Sequence, residues 1–370
     1  MPEIKKIAII EPVGSHGGMN YYDYGLAYGL SENNIEVLYF SCNETESRNF
    51  ANVTLIRSFR NVWQKKALKK LYYFFAGYKN AFNLSKKKGI SIIHLHFFDL
   101  GILNFLVLLF SKYYSFKTIA TIHDISTFNG KTNTFIEKLS YQLIDGIIVH
   151  NQSSKNEILK KVKVNSLLEI IPHGNYLPFI EKLPLPNNKK ELKLLFFGQL
   201  KEVKGLEILL NAMAIVIKNK PFIKLVIAGR PWKTDKDYYE KLIEKLNIQN
   251  NVETHFRFIK DEEIKKFFLN ASIVVLPYKR IYQSGVLLLS MSYGRATIVS
   301  DLQAFTDVVQ NKKTAFIFKN QNPMDLANCI LNITFEELTS VTNSANQLIE
   351  DQYNWIKIGS LTKQFYSNFS

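Results

Sequence analysis

Cysteines, long apolar runs and acidic residues are all scarce in this sequence. The only cysteines, Cys42 and Cys329, have a separation that suggests neither a disulfide framework nor a zinc site, which favours a reducing cytoplasm. No segment reaches the roughly 18 to 20 consecutive apolar residues that cross a bilayer. The longest, 102–110, includes Asn104 and is interpreted as a buried helix rather than a membrane-dipping one. The sequence runs from Met1 directly into an apolar strand without the features of a signal peptide, so we do not expect secretion.

Basic residues outnumber acidic ones by 47 to 32, which gives a formal net charge of +15. Charge alone does not distinguish solubility from binding to membranes or nucleic acid. Segment 63–88 mixes lysine and aromatic side chains. It contains Lys65, Lys66, Lys69 and Lys70 beside Trp63, Tyr72, Tyr73, Phe74 and Phe75. A basic aromatic helix is attracted to anionic membrane surfaces, and an ordinary amphipathic helix packed on a sheet is the alternative. No nucleic-acid-binding motif is visible, so we expect no nucleic acid partner.

The chain is long and apolar enough for about two domains, with 370 residues of which 46% are hydrophobic and 13% aromatic. Strand patterns alternate with helical patterns in both halves. They fall at 6–10, 35–40, 53–56, 90–95, 117–122 and 146–149, and then at 192–197, 224–228, 252–255, 273–276 and 297–300. This alternation predicts an α/β fold with one doubly wound parallel sheet in each half.

Turn-forming residues mark the boundary between the halves. Segment 172–178 begins and ends with proline, and segment 183–190 contains two further prolines before the next strand. We therefore predict a first domain at 1–180 and a second at 181–350. Segment 351–370 has the pattern of a final amphipathic helix.

Two loops in the second half are predicted to form an anion site. Each follows an apolar strand and leads into a helix, whose unpaired N–H groups attract phosphate. The first loop offers Gly198, Gln199, Lys201 and Lys204, and the second offers Gln283, Ser284, Gly285 and Val286. Lys204 is the strongest single candidate, because a lysine at a helix start can compensate the charge of a leaving diphosphate.

The spacing of these loops resembles the C-terminal half of GT-B glycosyltransferases of the retaining family 4 type, also called group 1, which includes many bacterial polysaccharide and glycolipid enzymes. The resemblance implies two Rossmann-like domains that face a central cleft, with the C-terminal helix crossing back to the first domain. It implies hexosyl transfer, with retention, from a UDP- or GDP-sugar to a saccharide or lipid-linked acceptor in cell-surface polysaccharide or glycoconjugate synthesis. No other cofactor and no protein-bound metal are expected. The expected location is the cytoplasm, and contact with the inner face of the cell membrane is left open.

The resemblance also implies roles for residues outside the two loops. Arg257 and Phe258 occupy the place where the family binds the nucleobase, and His123 in the motif Thr121–Asp124 would line the cleft beside the transferred sugar as a catalytic residue. The glycine loop of the first domain would lie near the diphosphate and the acceptor. It supplies Gly17 and Gly18 on the donor side and His16 and Asn20, together with Asp124, on the acceptor side.

Four histidines lie near predicted strand ends: His94, His96, His123 and His150. Strand ends are where α/β domains place their sites. We expect only one of His94 and His96 to face the cleft and the other to be structural. The spacing of the four histidines does not indicate metal ligands.

The sequence departs from the family pattern at three positions. Ile281 and Leu289 stand where relatives carry an acidic pair, and Gln199 is neutral where relatives carry a basic residue, for which Lys201 can substitute. Two other functions therefore stay open: a nucleotide-sugar 2-epimerase of the same fold, and a catalytically inert nucleotide-binding or scaffold protein. Donor hydrolysis that releases a nucleoside diphosphate would indicate the transferase.

Overall fold

A computed structural model describes residues 4–14, 18–60, 67–125, 134–164, 166–184, 192–233 and 236–369. The chain divides into two compact units, of which the first spans Met1–Gly174 with Tyr353–Ser370 and the second spans Asn175–Gln352. The sequence-based division lies at 180/181, and the C-terminal segment, predicted to return to the first domain, belongs to the first unit.

The first unit is built on a seven-stranded parallel sheet in the order β3-β2-β1-β4-β5-β6-β7. Its elements are β1 (Lys6–Ile10), α1 (Met19–Glu32), β2 (Glu36–Cys42), β3 (Val53–Phe59), α2 (Ala67–Lys87), β4 (Ile92–Phe97), α3 (Ile102–Tyr113), β5 (Lys117–Ile122), α4 (Thr134–Leu143), β6 (Gly146–Val149), α5 (Gln152–Lys161) and β7 (Leu167–Ile170). The strand order reverses between β1 and β4, and such a switch point is where open α/β sheets place their sites.

The second unit repeats this design with a six-stranded parallel sheet in the order β10-β9-β8-β11-β12-β13. Its elements are β8 (Lys193–Phe197), α6 (Leu206–Asn219), β9 (Lys224–Ala228), α7 (Lys236–Lys245), β10 (Val252–His255), α8 (Asp261–Asn270), β11 (Ile273–Leu276), α9 (Gly285–Ser292), β12 (Ala296–Ser300), α10 (Gln303–Thr306), β13 (Phe316–Phe318), α11 (Pro323–Asn332) and α12 (Phe335–Gln352). The predicted α/β class, with two doubly wound parallel sheets, is confirmed.

A last helix, α13 (Trp355–Tyr366), packs on α1 within the first unit. The two helices approach closely because each presents a glycine, and a Cβ at Gly29 would lie 1.9 Å from the Trp355 carbonyl oxygen. The Trp355 ring lies against Gly25 and Gly174 and makes an edge contact with Tyr22. The C-terminal helix is thereby part of the first unit's core.

Helix α3 forms where the apolar run predicts a helix, but the expectation that it is buried is wrong. Val107 and Leu108 are fully buried, whereas Ile102, Leu103, Leu106 and Leu109 are 39 to 52% exposed. Apolar composition predicts a helix without showing which neighbour covers its outer face. In the described part of the chain, no helix is both long enough and apolar enough to cross a membrane.

Candidate active site

The first phosphate-binding candidate is the loop between β8 and α6. Gly198 directly follows β8 and has φ +99°, a conformation that favours glycine, and Gly205 caps α6 with φ +65°. Between them the chain makes one 3-10 turn at Glu202–Lys204, which folds the Lys204 side chain back over the start of the loop. A Cβ at Gly198 would lie 3.1 Å from Lys204 Nζ, so the ammonium group sits directly against the glycine backbone.

The second loop, between β11 and α9, contacts the first. The backbone N–H of Lys279 donates to the Val203 carbonyl at 2.8 Å, and a Cβ at Gly205 would lie 2.1 Å from the Pro277 carbonyl oxygen. A side chain at position 205 would therefore push the loops apart. Val286, in the first turn of α9, approaches the Cβ position of Gly198 to 3.5 Å. The start of α9 thus lies beside Gly198 and Lys204, as the anion-site hypothesis requires.

Helix α9 begins in a geometry that leaves N–H groups available. Ser284 is its N-cap and accepts a hydrogen bond from the Leu287 N–H at 3.2 Å, and Gly285 is the first helical residue. The Tyr176 hydroxyl would lie 2.8 Å from a Cβ at Gly285, so a polar group faces this first turn. Gln283, Ser284, Gly285 and Val286 are half-buried. The positive end of the helix dipole and the lysine favour an anion at the same place.

The charge on Lys204 is poised to respond to a ligand. Burial, together with the neighbouring charge of Lys201, lowers the pKa of Lys204 to about 7. Its Nζ lies 5.5 Å from the centre of the Tyr278 ring, and within the described ranges it forms no ion pair. Lys279, by contrast, pairs with Glu207 and lies 3.9 Å from Glu202. A diphosphate bound here would place negative charge beside Lys204, raise its pKa and so favour its protonated form.

The remaining donor-side candidates of the second unit are more open. Gln199 and Lys201 are half-buried beside Gly198. The Arg257 guanidinium makes a two-pronged ion pair with Glu263, at 2.5 and 2.8 Å, while Phe258 is 69% exposed. Arg257 is therefore held at the start of α8, and the exposed Phe258 ring leaves a flat face available.

The positions of the missing acidic pair have different environments. Leu289 is buried on α9, and Ile281 is half-buried in the loop before it. Position 289 is thus part of the apolar core here, and the departure from the family pattern is accommodated by packing.

In the first unit, the histidines gather at the carboxyl ends of the strands. His94 and His96 lie on β4, His123 follows β5, and His150 follows β6. The expectation that His94 and His96 face different sides is wrong, because residues two apart on a strand share a face. Their rings stack with centroids 4.8 Å apart. A fifth ring, His173, packs against His150 and was missed because it lies in the proline-containing turn read as a boundary.

Nitrogen atoms of three histidines form a continuous row. His96 Nδ1 lies 3.2 Å from His123 Nε2, His123 Nδ1 lies 3.3 Å from His150 Nε2, and His150 Nδ1 lies 2.9 Å from the Ile171 carbonyl oxygen. Tyr22 of α1 contacts His96, His123 and His150 with ring centroids 4.9 to 5.3 Å apart. The row is buried, so the rings are held neutral.

Burial is the main cause of the low pKa values in this cluster. It lowers the pKa of His150 to about 4 and those of His96 and His123 well below the usual value, with neighbouring histidines adding to the last two effects. Within the described ranges, no group of three or more histidine, cysteine or acidic side chains is arranged to hold a metal ion.

The glycine loop of the first unit is described only in part. The predicted residues His16 and Gly17 lie outside the described residues. Gly18 precedes α1, and Asn20, in its first turn, is buried, with its side-chain oxygen accepting from the Tyr21 N–H at 2.9 Å. Asp124 is half-buried beside His123.

Known proteins share both the sequence features and the fold. Residues 180–355 match the family described as Glycosyl transferases group 1, and residues 16–175 match the family described as Glycosyltransferase Family 4. The GDP-mannose:glycolipid 4-beta-D-mannosyltransferase of Xanthomonas campestris is 24% identical over 203 residues, which is 54% of each protein. The chain spans about half the length of several curated relatives that it matches.

Solved structures match over nearly the whole chain. Sucrose-phosphate synthase from Thermosynechococcus elongatus gives a TM-score of 0.79 at 19% identity, with 99% of both chains covered. Anabaena Alr3699/HepE in complex with UDP and glucose gives 0.74 at 15% identity, covering 98% of this chain and all of that one. The two sheets thus have the GT-B fold, and the two family matches identify the chain as a glycosyltransferase. The chain belongs to the glycosyl transferases group 1 family, which confirms the resemblance drawn from the sequence.

Proposed function

We propose that this glycosyltransferase moves a sugar from a UDP- or GDP-sugar to a saccharide or lipid-linked acceptor in cell-surface polysaccharide or glycoconjugate synthesis, with retention and without a protein-bound metal. The observation that carries the proposal is the meeting of Gly198, Lys204 and the start of α9 in the second unit. A lysine against a bare glycine backbone, beside a helix N-terminus, is suited to a diphosphate. Two similar proteins support this donor and acceptor chemistry: the Xanthomonas campestris relative is named for GDP-mannose and glycolipid, and the structure of Anabaena Alr3699/HepE is a complex with UDP and glucose.

In the proposed reaction the bond between the anomeric carbon and the diphosphate oxygen breaks while the acceptor hydroxyl oxygen bonds to the same carbon from the same face. The leaving diphosphate takes the hydroxyl proton. Lys204 and the N–H groups of α9 stabilise the negative charge as it develops on the diphosphate, which lowers the barrier. Gln283 and Ser284 would form hydrogen bonds with the hydroxyl groups of the sugar, a role that the acidic pair absent at Ile281 and Leu289 would otherwise fill.

A panel of nucleotides tests this proposal. Because a ligand that binds only the folded state raises the unfolding temperature, UDP or GDP and the matching nucleotide sugar should raise the midpoint, whereas AMP should not. Incubation with the stabilising nucleotide sugar should then release nucleoside diphosphate, slowly with water and faster with an acceptor. Conversion of the donor to its 2-epimer would indicate the epimerase instead, and stabilisation without any product would indicate an inert binding protein.

The first unit also carries a surface suited to peripheral membrane contact, and we propose that it binds anionic lipid at the inner face of the cell membrane. On α2, Leu68 and Tyr72 are 84% and 70% exposed beside the exposed Lys69 and Lys70. The neighbouring α3 exposes a leucine stripe through Leu103, Leu106 and Leu109. Adjacent apolar and basic side chains match the acyl and phosphate layers of an anionic bilayer surface. Trp63, Lys65 and Lys66 lie outside the described residues.

Vesicle sedimentation would measure this contact. The double change of Lys69 and Lys70 to glutamine should weaken binding to phosphatidylserine-containing vesicles roughly 30-fold, since each basic residue near such a surface contributes about 1 kcal/mol. Leu106→Glu should also weaken binding, whereas Leu269→Glu, at a 47% exposed leucine on α8, is the matched control and should not. Equal binding by all variants, or no preference for anionic over neutral vesicles, would contradict the proposed surface.

A further inference from the structure

A buried acid lies at the end of the histidine row. Asp23, on α1, is fully buried and accepts a hydrogen bond from the Tyr39 hydroxyl to its Oδ2 at 2.8 Å. Its other oxygen, Oδ1, lies 3.7 Å from His96 Nε2. Within the described ranges neither Asp23 Oδ1 nor His96 Nε2 has a hydrogen-bond partner. Two unsatisfied polar atoms that face each other in the core are costly unless a proton lies between them.

The tautomer of each ring follows from the end of the row at which His150 contacts the Ile171 carbonyl oxygen. The Ile171 carbonyl oxygen can only accept, so His150 donates to it through Nδ1–H. A neutral ring carries one N–H, and therefore His150 Nε2 accepts from His123 Nδ1–H. By the same step, His123 Nε2 accepts from His96 Nδ1–H, and His96 is left with a bare lone pair on Nε2.

That lone pair points towards Asp23, which decides where the proton must be. An ionised Asp23 would place two acceptors opposite each other in the core, whereas a protonated Oδ1 can donate to His96 Nε2 when the gap closes slightly. The surroundings favour the protonated form. Burial, followed by the nearby Glu11, holds the pKa of Asp23 well above its usual range, and burial raises the pKa of Glu11 to about 8.

We propose that Asp23 is a positioning residue that, as a neutral acid, donates a hydrogen bond to His96 Nε2 and thereby holds the His96–His123–His150 row in the tautomer that the Ile171 carbonyl sets at its other end. Its effect on catalysis rests on the proposed function, in which the resemblance assigns His123 to the sugar. A ring held neutral adds no positive charge near a carbon that itself becomes positive during transfer. The groups that face the row are His94 and His173, with Tyr22 from α1, and those that face Asp23 are Glu11 and Tyr39.

Replacement of Asp23 by asparagine and by alanine tests the proposal. The amide introduced by Asp23→Asn would reproduce both bonds of a neutral acid, since its oxygen accepts from Tyr39 and its NH₂ donates to His96. Alanine would leave His96 Nε2 unpaired and would leave the Tyr39 hydroxyl with only the Ser41 hydroxyl, 3.3 Å away, as a partner. We expect Asp23→Asn to keep kcat close to the wild-type value, and Asp23→Ala to lower kcat about tenfold with the donor KM little changed.

Nitrogen NMR of the ¹⁵N-labelled histidine rings in the full chain gives a readout that needs no substrate. Wild type and Asp23→Asn should show His123 as a neutral Nδ1–H ring at pH 7, and the infrared spectrum should contain a protonated carboxyl band that Asp23→Asn removes. A doubly protonated His96 in the NMR spectrum, or a carboxylate band in place of the protonated carboxyl band, would overturn the proposal. In that case Asp23→Asn should no longer hold the three histidines in a single tautomer.

Two further results test the role of Asp23 when Asp23→Ala does not fold and distinguish it from the proposed function. If Asp23→Ala does not fold, Tyr39→Phe serves in its place, because a neutral acid keeps its proton without Tyr39 and the His123 spectrum should not change. A changed His123 spectrum in Tyr39→Phe would count against a neutral Asp23. If wild type shows the predicted tautomers but releases no nucleoside diphosphate from any donor, the proposed function fails and the assignment of Asp23 stands.

Discussion

Lys204→Ala is expected to lower kcat for sugar transfer by about 10² to 10³, the range seen when one charge-stabilising donor is removed from an active site. Lys204 Nζ lies against Gly198 and beside the start of α9, where the diphosphate charge would develop. Because this charge is largest in the transition state, kcat should fall more than KM rises. Steady-state kinetics with the donor found in the nucleotide panel would measure both.

Comparison with other lysines shows whether the effect belongs to this position. Lys312, an exposed lysine 3.3 Å from Glu337, is the matched surface control, and its replacement by alanine should leave the kinetics unchanged. Lys201→Ala should have an intermediate effect, since Lys201 is only half-buried beside the same loop. Similar losses at positions 204 and 312, or none at 204, would remove Lys204 from the proposed chemistry.

The same lysine makes a calorimetric prediction. With its pKa lowered to about 7, Lys204 is mostly neutral at pH 8, and a bound diphosphate would raise that pKa again. Binding at pH 8 should therefore take up close to one proton. The uptake is read from the dependence of the binding enthalpy on the ionisation enthalpy of the buffer, and it should disappear in Lys204→Ala.

Much of the fold could be predicted because parallel strands buried on both faces have continuous apolar sequences. Strands such as Ile273–Leu276 appear where the pattern places them. The pattern missed β7 and β13. The first alternates between exposed and half-buried residues at the edge of its sheet, and the second has only three residues. Short edge strands depend on pairing with a neighbour, which the local sequence does not show.

The candidate site also has residues that the sequence could predict and residues that it could not. Lys204 and the loops around Gly198 and Gly285 could be found because glycine, lysine and helix starts are local signals. Their assigned roles stay predictions. Asp23 could not be found, since in the segment Tyr21–Tyr24 it resembles any polar residue of a helix, and only packing against β2 and β4 buries it. A residue that acts through tertiary contacts leaves little trace in local sequence.

The first unit is expected to be most stable near pH 6.5 and to lose stability steeply in acid. Burial lowers the pKa of His94 and His173 to about 3 and that of His150 to about 4, and holds those of His96 and His123 well below 6.5. Below pH 6.5 the unfolded chain therefore binds protons at five histidines that the folded unit excludes. Stability rises with pH where the unfolded state holds more protons, so acidification removes it.

The two buried acids act in the opposite direction and set the upper side of the optimum. Burial raises the pKa of Glu11 to about 8 and holds that of Asp23 well above its usual value, so both acids keep their protons when folded but release them above about pH 4.5 when unfolded. Their contribution is lost as the pH rises from 4.5 to 8. Between pH 4.5 and 6.5 the unfolded chain binds up to five more protons at the histidines, and the folded unit binds up to two more at the acids. The net difference of about three protons means that the free energy of unfolding falls by at most ~4 kcal/mol for each pH unit of acidification.

Hydrogen exchange followed by mass spectrometry would test this optimum unit by unit. Amides of β1, β4 and β5 should be best protected near pH 6.5 and lose protection at pH 5 and, less steeply, at pH 8, after correction for intrinsic exchange rates. On the acid side the second unit is the internal control, because its one described histidine, His255, is not buried. Replacing His150 with glutamine removes one of the five titrating rings and should flatten the acid side, whereas an unchanged slope would show that the histidine row does not set the acid sensitivity.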